Sequence, residues 1–275
     1  MSGVAPSYRA YAVRYADREL KLSECYYGWP LYGEPDASVV MSYFFWVLEP
    51  LHDAAGGPIV IDTGFAPERS GGRNPRIAPA EGLALLGIDP SRVRRLVISH
   101  MHYDHIGNLH LFPQARITIA RRDYEFWARD PVAQRLQFSH HTDWNGVERL
   151  RQAEAEGRLE LIGSETEIAP GVTALDVGGH SPGELILDVD GEHGGTVTLA
   201  CDAIHHYDEL DDNRPFQIFS DLAEMYRGYE RLRERAAAGA VLVAGHDPDV
   251  MERFTRLEGA AGEHVVSLTG AADDR

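Results

Sequence analysis

The chain's 275 residues suffice for one large domain or two small ones, and a composition of 44% hydrophobic and 25% charged residues is that of an ordinary globular protein. With 43 acidic against 26 basic side chains the formal charge is −17, which repels phosphate backbones and anionic lipid and argues against nucleic acid as a partner. No apolar run approaches the roughly 20 residues of a membrane helix, and residues 1–17 carry charges and no apolar signal core, so a cytoplasmic address is expected.

In chain order, residues 11–15, 42–49 and 58–62 read as strands from their β-branched and aromatic content, the last ending in Asp62-Thr63-Gly64. Residues 67–79 read as a loop rich in Gly, Arg and Pro, 80–86 as a helix, and 94–99 as a buried strand that runs straight into a cluster of histidines. Beyond it, 115–120 is strand-like, 122–128 helical and 147–156 a helix with a polar face. Four further strands are expected at 158–162, 172–177, 184–189 and 196–200, separated by turn-rich segments such as Gly178-Gly179-His180-Ser181-Pro182-Gly183. The clearest helix is 220–238, a final strand at 240–244 leads into Gly245-His246-Asp247-Pro248, and the end from residue 270 reads as a frayed tail. The strands fall into two groups, each with helices and no compositional boundary between them. One α/β domain of two packed sheets spanning residues 1–275 is therefore expected. Acid-rich clusters such as Asp208-Glu209-Leu210-Asp211-Asp212 read as solvated surface.

Only Cys25 and Cys201 are present, which excludes a disulfide framework and any Cys-x-x-Cys metal knuckle, so a metal must be held by histidine and carboxylate. The run His100-Met101-His102-Tyr103-Asp104-His105 is built for that. Alternate residues of an extended segment point the same way, so His100 and His102 can address one point. A turn after them would aim Asp104 and His105 at a second point nearby. Neutral imidazole with carboxylate suits zinc and similar first-row ions. His180, Asp202 and His246 each follow a predicted strand, where loop residues gather into sites. Of the remaining histidines, His52, His110, His193 and His264 read as turn or surface residues, His140-His141 as an ordinary loop, and His206 as surface.

The pattern His-x-His-x-Asp-His followed by His, Asp and His resembles the metallo-β-lactamase superfamily, from Asp62-Thr63-Gly64 through His246. That resemblance implies an αβ/βα sandwich, that is, two packed mixed sheets with outer helices. It also implies two divalent ions, zinc first, with manganese, cobalt or iron as alternatives. By the likeness, His100, His102 and His180 hold one ion, Asp104, His105 and His246 hold the other, Asp202 bridges them, and Asp62 is a supporting carboxylate. Within the superfamily, several features resemble the N-acyl homoserine lactonases and related small-lactone hydrolases. They are the stretches Ser42-Tyr43-Phe44-Phe45-Trp46, Gly178 to Gly183, Asp202-Ala203, Pro215-Phe216 and Gly245-His246-Asp247. Such enzymes have a tyrosine three residues after the bridging aspartate; here that position is His205, with His206 and Tyr207 beside it. Cys201 stands where glycine is commoner, and buried packing is its expected role.

The implied reaction is opening of a lactone ring by a metal-bound hydroxide, with Asp104 orienting the nucleophile and carrying a proton. His205 or Tyr207 would stabilise the oxyanion. A small-molecule lactone is the expected substrate and a homodimer the implied assembly. The alternative is a glyoxalase-II-like thioesterase or another ester hydrolase of this fold. The 29 residues after His246 give little room for the helical domain such thioesterases carry. A non-enzymatic metal-binding protein is the third reading, disfavoured by the full ligand set.

Overall fold

The structure, a computed structural model, describes residues 7–52 and 56–270. The first sheet opens with two long strands, β1 (Tyr8–Lys21) and β2 (Ser38–Pro50), paired antiparallel with a bulge between Arg14 and Ala16. It continues through β3 (Ile59–Ile61), while the two-residue β4 (Asn74–Pro75) pairs with β1. Parallel strands β5 (Arg95–Ile98), β6 (Arg116–Ala120) and β7 (Leu159–Ile162) complete that side. The second sheet holds β8 (Glu165–Ala169), β9 (Val172–Asp176), β10 (Leu185–Asp190), β11 (Thr196–Cys201) and β12 (Val241–Ala244). The chain then returns to the first sheet as β13 (Thr255–Arg256) and β14 (Val265–Ser267), with β14 pairing onto β1.

Ile59-Val60-Ile61 and Leu96-Val97-Ile98 are buried throughout, as strands covered on both faces must be. Helices follow the strands as crossovers demand. Arg121–Arg129 and Trp144–Ala155 link β6 to β7, and Leu222–Ala237 links β11 to the parallel β12. The last is capped by Asp221, whose side chain accepts the Glu224 amide, and it buries Met225, Gly228, Tyr229 and Leu232 on one face. One apolar cluster runs through both sheets, from Trp46 and Ile98 to Leu187 and Leu199. The Leu185 amide bonds to Ser99 O at 3.0 Å, which stitches the head of β10 to the end of β5.

The expected two-sheet α/β architecture is the one observed, with several differences at the edges. β1 is much longer than 11–15, because the consecutive Asp17, Arg18 and Glu19 break the apolar pattern and mask the strand. β8 was not expected; its exposed Glu165 and Glu167 sit on an edge strand, where charge is tolerated. β4, β13 and β14 are too short to carry a period. Of the expected frayed tail only Gly270 is described; 271–275 lie outside the described residues.

Candidate metal centre

The segments that carry the histidine and aspartate candidates all follow strand ends. β3 ends on Asp62, β5 on Ser99 and His100, β9 on the turn holding His180, β11 on Asp202 and β12 on Gly245-His246. Sequence-distant groups therefore meet at one edge, between the sheets. After His102 the chain turns into the short helix Tyr103–Ile106, which brings the His105 ring within 4.1 Å of the His100 ring. At Cys201 the backbone adopts φ +46°, which explains why glycine is the easier residue there; the thiol is buried, and its turn aims Asp202 inward.

Asp202 is the focus. Its carboxylate lies 3.8 Å from His100 Nε2, 3.4 Å from His105 Nε2, 3.5 Å from His180 Nε2, and 3.2 Å from both His205 Nε2 and His246 Nε2. Asp104 completes the group, 3.6 Å from His105 Nε2 and 3.8 Å from His246 Nε2. Within this cluster, His100, His102 and His180 form one set of converging ligand atoms, and Asp104, His105 and His246 form another. His100 and Asp202 join with His105 in a third set, and His180 and Asp202 with His205 in a fourth. All of these side chains are buried.

The rings of His100, His105, His180 and His246 are backed from behind. His105 Nδ1 meets Asp62 Oδ2 at 2.7 Å, and that carboxylate is fixed by the Ser99 amide and hydroxyl, both at 2.8 Å. His100 Nδ1 faces Glu184 Oε2 at 3.1 Å, His180 Nδ1 meets Ile218 O at 2.9 Å, and His246 Nδ1 meets Ser42 O at 2.8 Å. Such backing fixes tautomer and ring direction for metal binding.

The donor set fits divalent cations on its own terms. His100 Nε2 and His105 Nε2 are buried without a hydrogen-bond partner and point into the cluster. Burial, reinforced by neighbouring imidazoles, holds His100, His102 and His180 below the ordinary imidazole range, so their rings are neutral and free to donate a lone pair. At His105 burial opposes the proton, but Asp202, Asp62 and Asp104 outweigh it and raise the pKa. Carboxylates this concentrated call for positive charge at the centre, which a cation would supply in place of that proton.

His205 and Tyr207 part company. His205 is buried in the cluster, its ring stacked on Phe216 at 3.5 Å and 14°, its Nδ1 3.3 Å from Glu209 Oε1. Burial works against its charge, yet Asp202 and Glu209 lift its pKa to about 9. Tyr207 points elsewhere: its hydroxyl donates to Leu242 O at 3.2 Å and its ring lies under the Arg253 guanidinium at 3.7 Å. The structure does not bring it to the cluster.

Several contributors escaped sequence reasoning. Glu209 belongs to the acidic run read as solvated surface, yet it is buried, accepting the amides of His205 and His206 at 2.6 and 3.0 Å and the Tyr229 hydroxyl at 2.7 Å. Its spacing of four from His205 was the available signal. Glu184, at the head of the apolar strand β10, accepts the Asp202 amide at 3.1 Å; a carboxylate bordering so apolar a run could have been flagged. Asp123, inside an ordinary-looking helix, gave none. His206 is buried rather than superficial, and His141 lies 5.6 Å from the His102 ring and borders the cavity instead of sitting in a plain loop. Its pKa is held down to about 4 by burial and by His140.

The cluster opens into a cavity of about 220 Å³ walled by Arg18, Leu20, Met41, Tyr43, Tyr103 and Phe216. An adjoining cavity of about 330 Å³ shares His102, His141 and His180 with it and adds Trp127, Phe138 and Phe219.

The family model of the metallo-beta-lactamase superfamily matches residues 39–246, which takes in every residue of the centre. The chain belongs to the metallo-beta-lactamase superfamily. It is 29% identical over 177 residues to the N-acyl homoserine lactonase AttM of Azorhizobium caulinodans, covering 63% of this chain and 65% of that one. It is 28% identical over 210 residues to the N-acyl homoserine lactonase of Bacillus cereus, covering 70% of this chain and 77% of that one. Among solved structures, an N-acyl homoserine lactone hydrolase with the product N-hexanoyl-L-homoserine at its catalytic metal centre superposes with a TM-score of 0.72. That likeness, at 21% identity, covers 90% of this chain and 96% of that one, and it speaks to the fold. Among the described residues no helix is long and apolar enough to cross a membrane.

Proposed function

We propose that this superfamily member is a lactonase: it opens the ring of a small lactone, of the N-acyl homoserine lactone type, by metal-dependent hydrolysis. The observation that carries the reading is the convergence of imidazoles on Asp202 beneath a two-lobed cavity. One lobe meets the cluster, and the other, with Trp127, Phe138 and Phe219, offers an apolar wall to an acyl chain. The two lactonase relatives point the same way.

His100, His102 and His180 would hold one divalent ion and Asp104, His105 and His246 the other, with Asp202 between them. Zinc is the reading for the native metal, and the cytoplasm for the compartment. Such ions lower the pKa of water from 15.7 to about 7 and polarise a carbonyl oxygen. Asp104 orients the attacking water and receives its proton. The water oxygen bonds to the lactone carbonyl carbon, the ring C–O bond breaks, and the departing alkoxide takes up a proton to leave a hydroxy acid. The cavity walls exclude bulk water and fix the ring over the cluster. Tyr207, with its hydroxyl on Leu242 O, has no part in this scheme.

The test is pH-stat hydrolysis by zinc-, manganese- and cobalt-loaded protein. The panel holds short- and long-chain acyl homoserine lactones, γ-butyrolactone and an aromatic lactone, with a glutathione thioester as control. Metal-dependent opening of a lactone at kcat/KM above about 10⁴ M⁻¹s⁻¹, an ordinary enzymatic value, is expected. Silence on every lactone with turnover of the thioester would overturn the assignment. Asp202→Ala should lose metal and activity together, and full activity with fewer than one ion per chain would refute the two-ion scheme.

A further inference from the structure

We infer that His205 is itself a metal ligand, an eighth protein ligand, and that Glu209 is the carboxylate that positions it. The inference rests on the two-ion reading of the centre and assigns His205 to the ion shared by His180 and Asp202.

Three observations support it. First, His205 shares the two-ended placement of the other ring ligands. Its Nε2 lies 3.2 Å from Asp202 Oδ2, as close as His246 and closer than His100, His105 or His180. Its Nδ1 is buried without a hydrogen bond and lies 3.3 Å from the Glu209 carboxylate, much as His100 Nδ1 lies 3.1 Å from Glu184. A ring with one nitrogen on the centre and the other facing a carboxylate is the usual arrangement of a metal-bound histidine. Second, His180, Asp202 and His205 present ligand atoms within 4.8 Å of one another, the same span that unites His100, His102 and His180.

Third, the ring has little freedom to do anything else. Phe216 stacks on one face at 3.5 Å, and the His246 ring lies nearly parallel at 5.3 Å and 16°. The backbone is pinned as well, the His205 amide on Glu209 Oε1 and the His205 carbonyl accepting the His246 amide at 2.9 Å. Glu209 is in turn held by the His206 amide and the Tyr229 hydroxyl, so the carboxylate behind the ring is fixed before any ion arrives.

The consequence is an asymmetric centre. With His205 added, the donors around one ion become His100, His102, His180, Asp202 and His205, against Asp104, His105, His246 and Asp202 around the other. Five protein donors exceed the tetrahedral set zinc prefers, so on this inference the zinc proposed above would suit the four-donor position and iron, manganese or cobalt the five-donor one. The ion with fewer protein ligands then has more room for the substrate.

The test uses metal-free protein reloaded with Co²⁺, comparing wild type, His205→Ala and Glu209→Gln. Equilibrium competition against a chelating dye gives affinities, and the visible d–d absorption reports coordination. His205→Ala is expected to lose at least tenfold in affinity for one ion only, with a changed d–d spectrum that free imidazole restores. Its preference should also move toward Zn²⁺ over Co²⁺. Glu209→Gln should keep both ions with a smaller loss, of the 10- to 100-fold size seen for such outer partners at most. Wild-type affinity for both ions and an unchanged spectrum in His205→Ala would overturn the inference, whatever happens to turnover. Near-ultraviolet circular dichroism of the metal-free variants separates misfolding from ligand loss. A variant that misfolds hands the decision to Glu209→Gln, whose wild-type affinity and spectrum would likewise refute the assignment. These readouts need no substrate, so failure of the lactone panel leaves them standing.

Discussion

Asp123 lies behind the imidazole cluster rather than within it, and still ties together the segments that carry His100, His102 and His180. Its carboxylate accepts the Met101 amide at 2.8 Å, between His100 and His102, and, in the turn after His180, the Gly183 amide at 3.3 Å and the Ser181 hydroxyl. One side chain thus ties the histidine run to the loop that carries His180. Burial raises its pKa to about 6 despite those three donors. An unfolded aspartate titrates near 3.9, so the folded protein holds this proton more tightly, and the carboxylate costs stability as pH rises from about 4 to about 6. Asparagine would turn an amide NH₂ on groups that are themselves donors. Asp123→Asn is expected to cost about 1–3 kcal/mol in urea denaturation of the metal-free protein and to flatten that pH slope. An unchanged midpoint and slope would show that the three bonds contribute nothing net. None of this was legible in Arg121-Arg122-Asp123-Tyr124, because the partners lie 22 to 60 residues away.

At the scale of elements, the turn between β9 and β10 is where local chemistry and packing meet. Gly178 and Gly179 both take positive φ, +60° and +90°, which is how the chain reverses and still delivers His180 to the cluster. A Cβ on Gly179 would lie 2.4 Å from the backbone of Met225, in the helix Leu222–Ala237. Gly179→Ala should therefore cost about 1–2 kcal/mol from the left-handed backbone and about 1–3 more from overpacking. Circular dichroism melting should show a drop of several degrees, with reduced metal content; a wild-type melting curve with full metal content would mean that the helix gives way freely. The Gly-Gly-His-Ser-Pro-Gly sequence announced a turn, but what the turn presses against was decided by the helix. Elsewhere the strongly apolar strands such as β5 and β11 were plain in the sequence. β8 and the outer half of β1 were not, since edge position permits charged residues that erase the alternating pattern.

For the whole molecule the centre is a liability without its cations. Asp62, Asp104, Glu184 and Asp202 are buried together at the junction of the two sheets, where His100, His102 and His180 are held neutral and offset none of their charge. A cation that binds only the folded state stabilises it by about 2.7 kcal/mol at 100 times its Kd. Prolonged EDTA treatment is therefore expected to lower Tm by several degrees, and Zn²⁺ or Co²⁺ to restore it. A Tm indifferent to chelation would mean that the ligands are satisfied among themselves.

The primary sequence by itself carried the ligand types and their local spacing. His100-x-His102-x-Asp104-His105 sits on one short stretch whose geometry follows from an extended segment and a turn, and His180, Asp202 and His246 each follow an apolar strand. Local patterns survive in sequence because neighbouring residues share a backbone conformation. Only the tertiary structure decided that Tyr207 turns away to Leu242 O, that Glu209 leaves its acidic run to stand behind His205, and that His205 joins the imidazoles around Asp202. Those outcomes depend on which strand ends come together between two sheets, and contacts made across so many residues leave no period for the sequence to show.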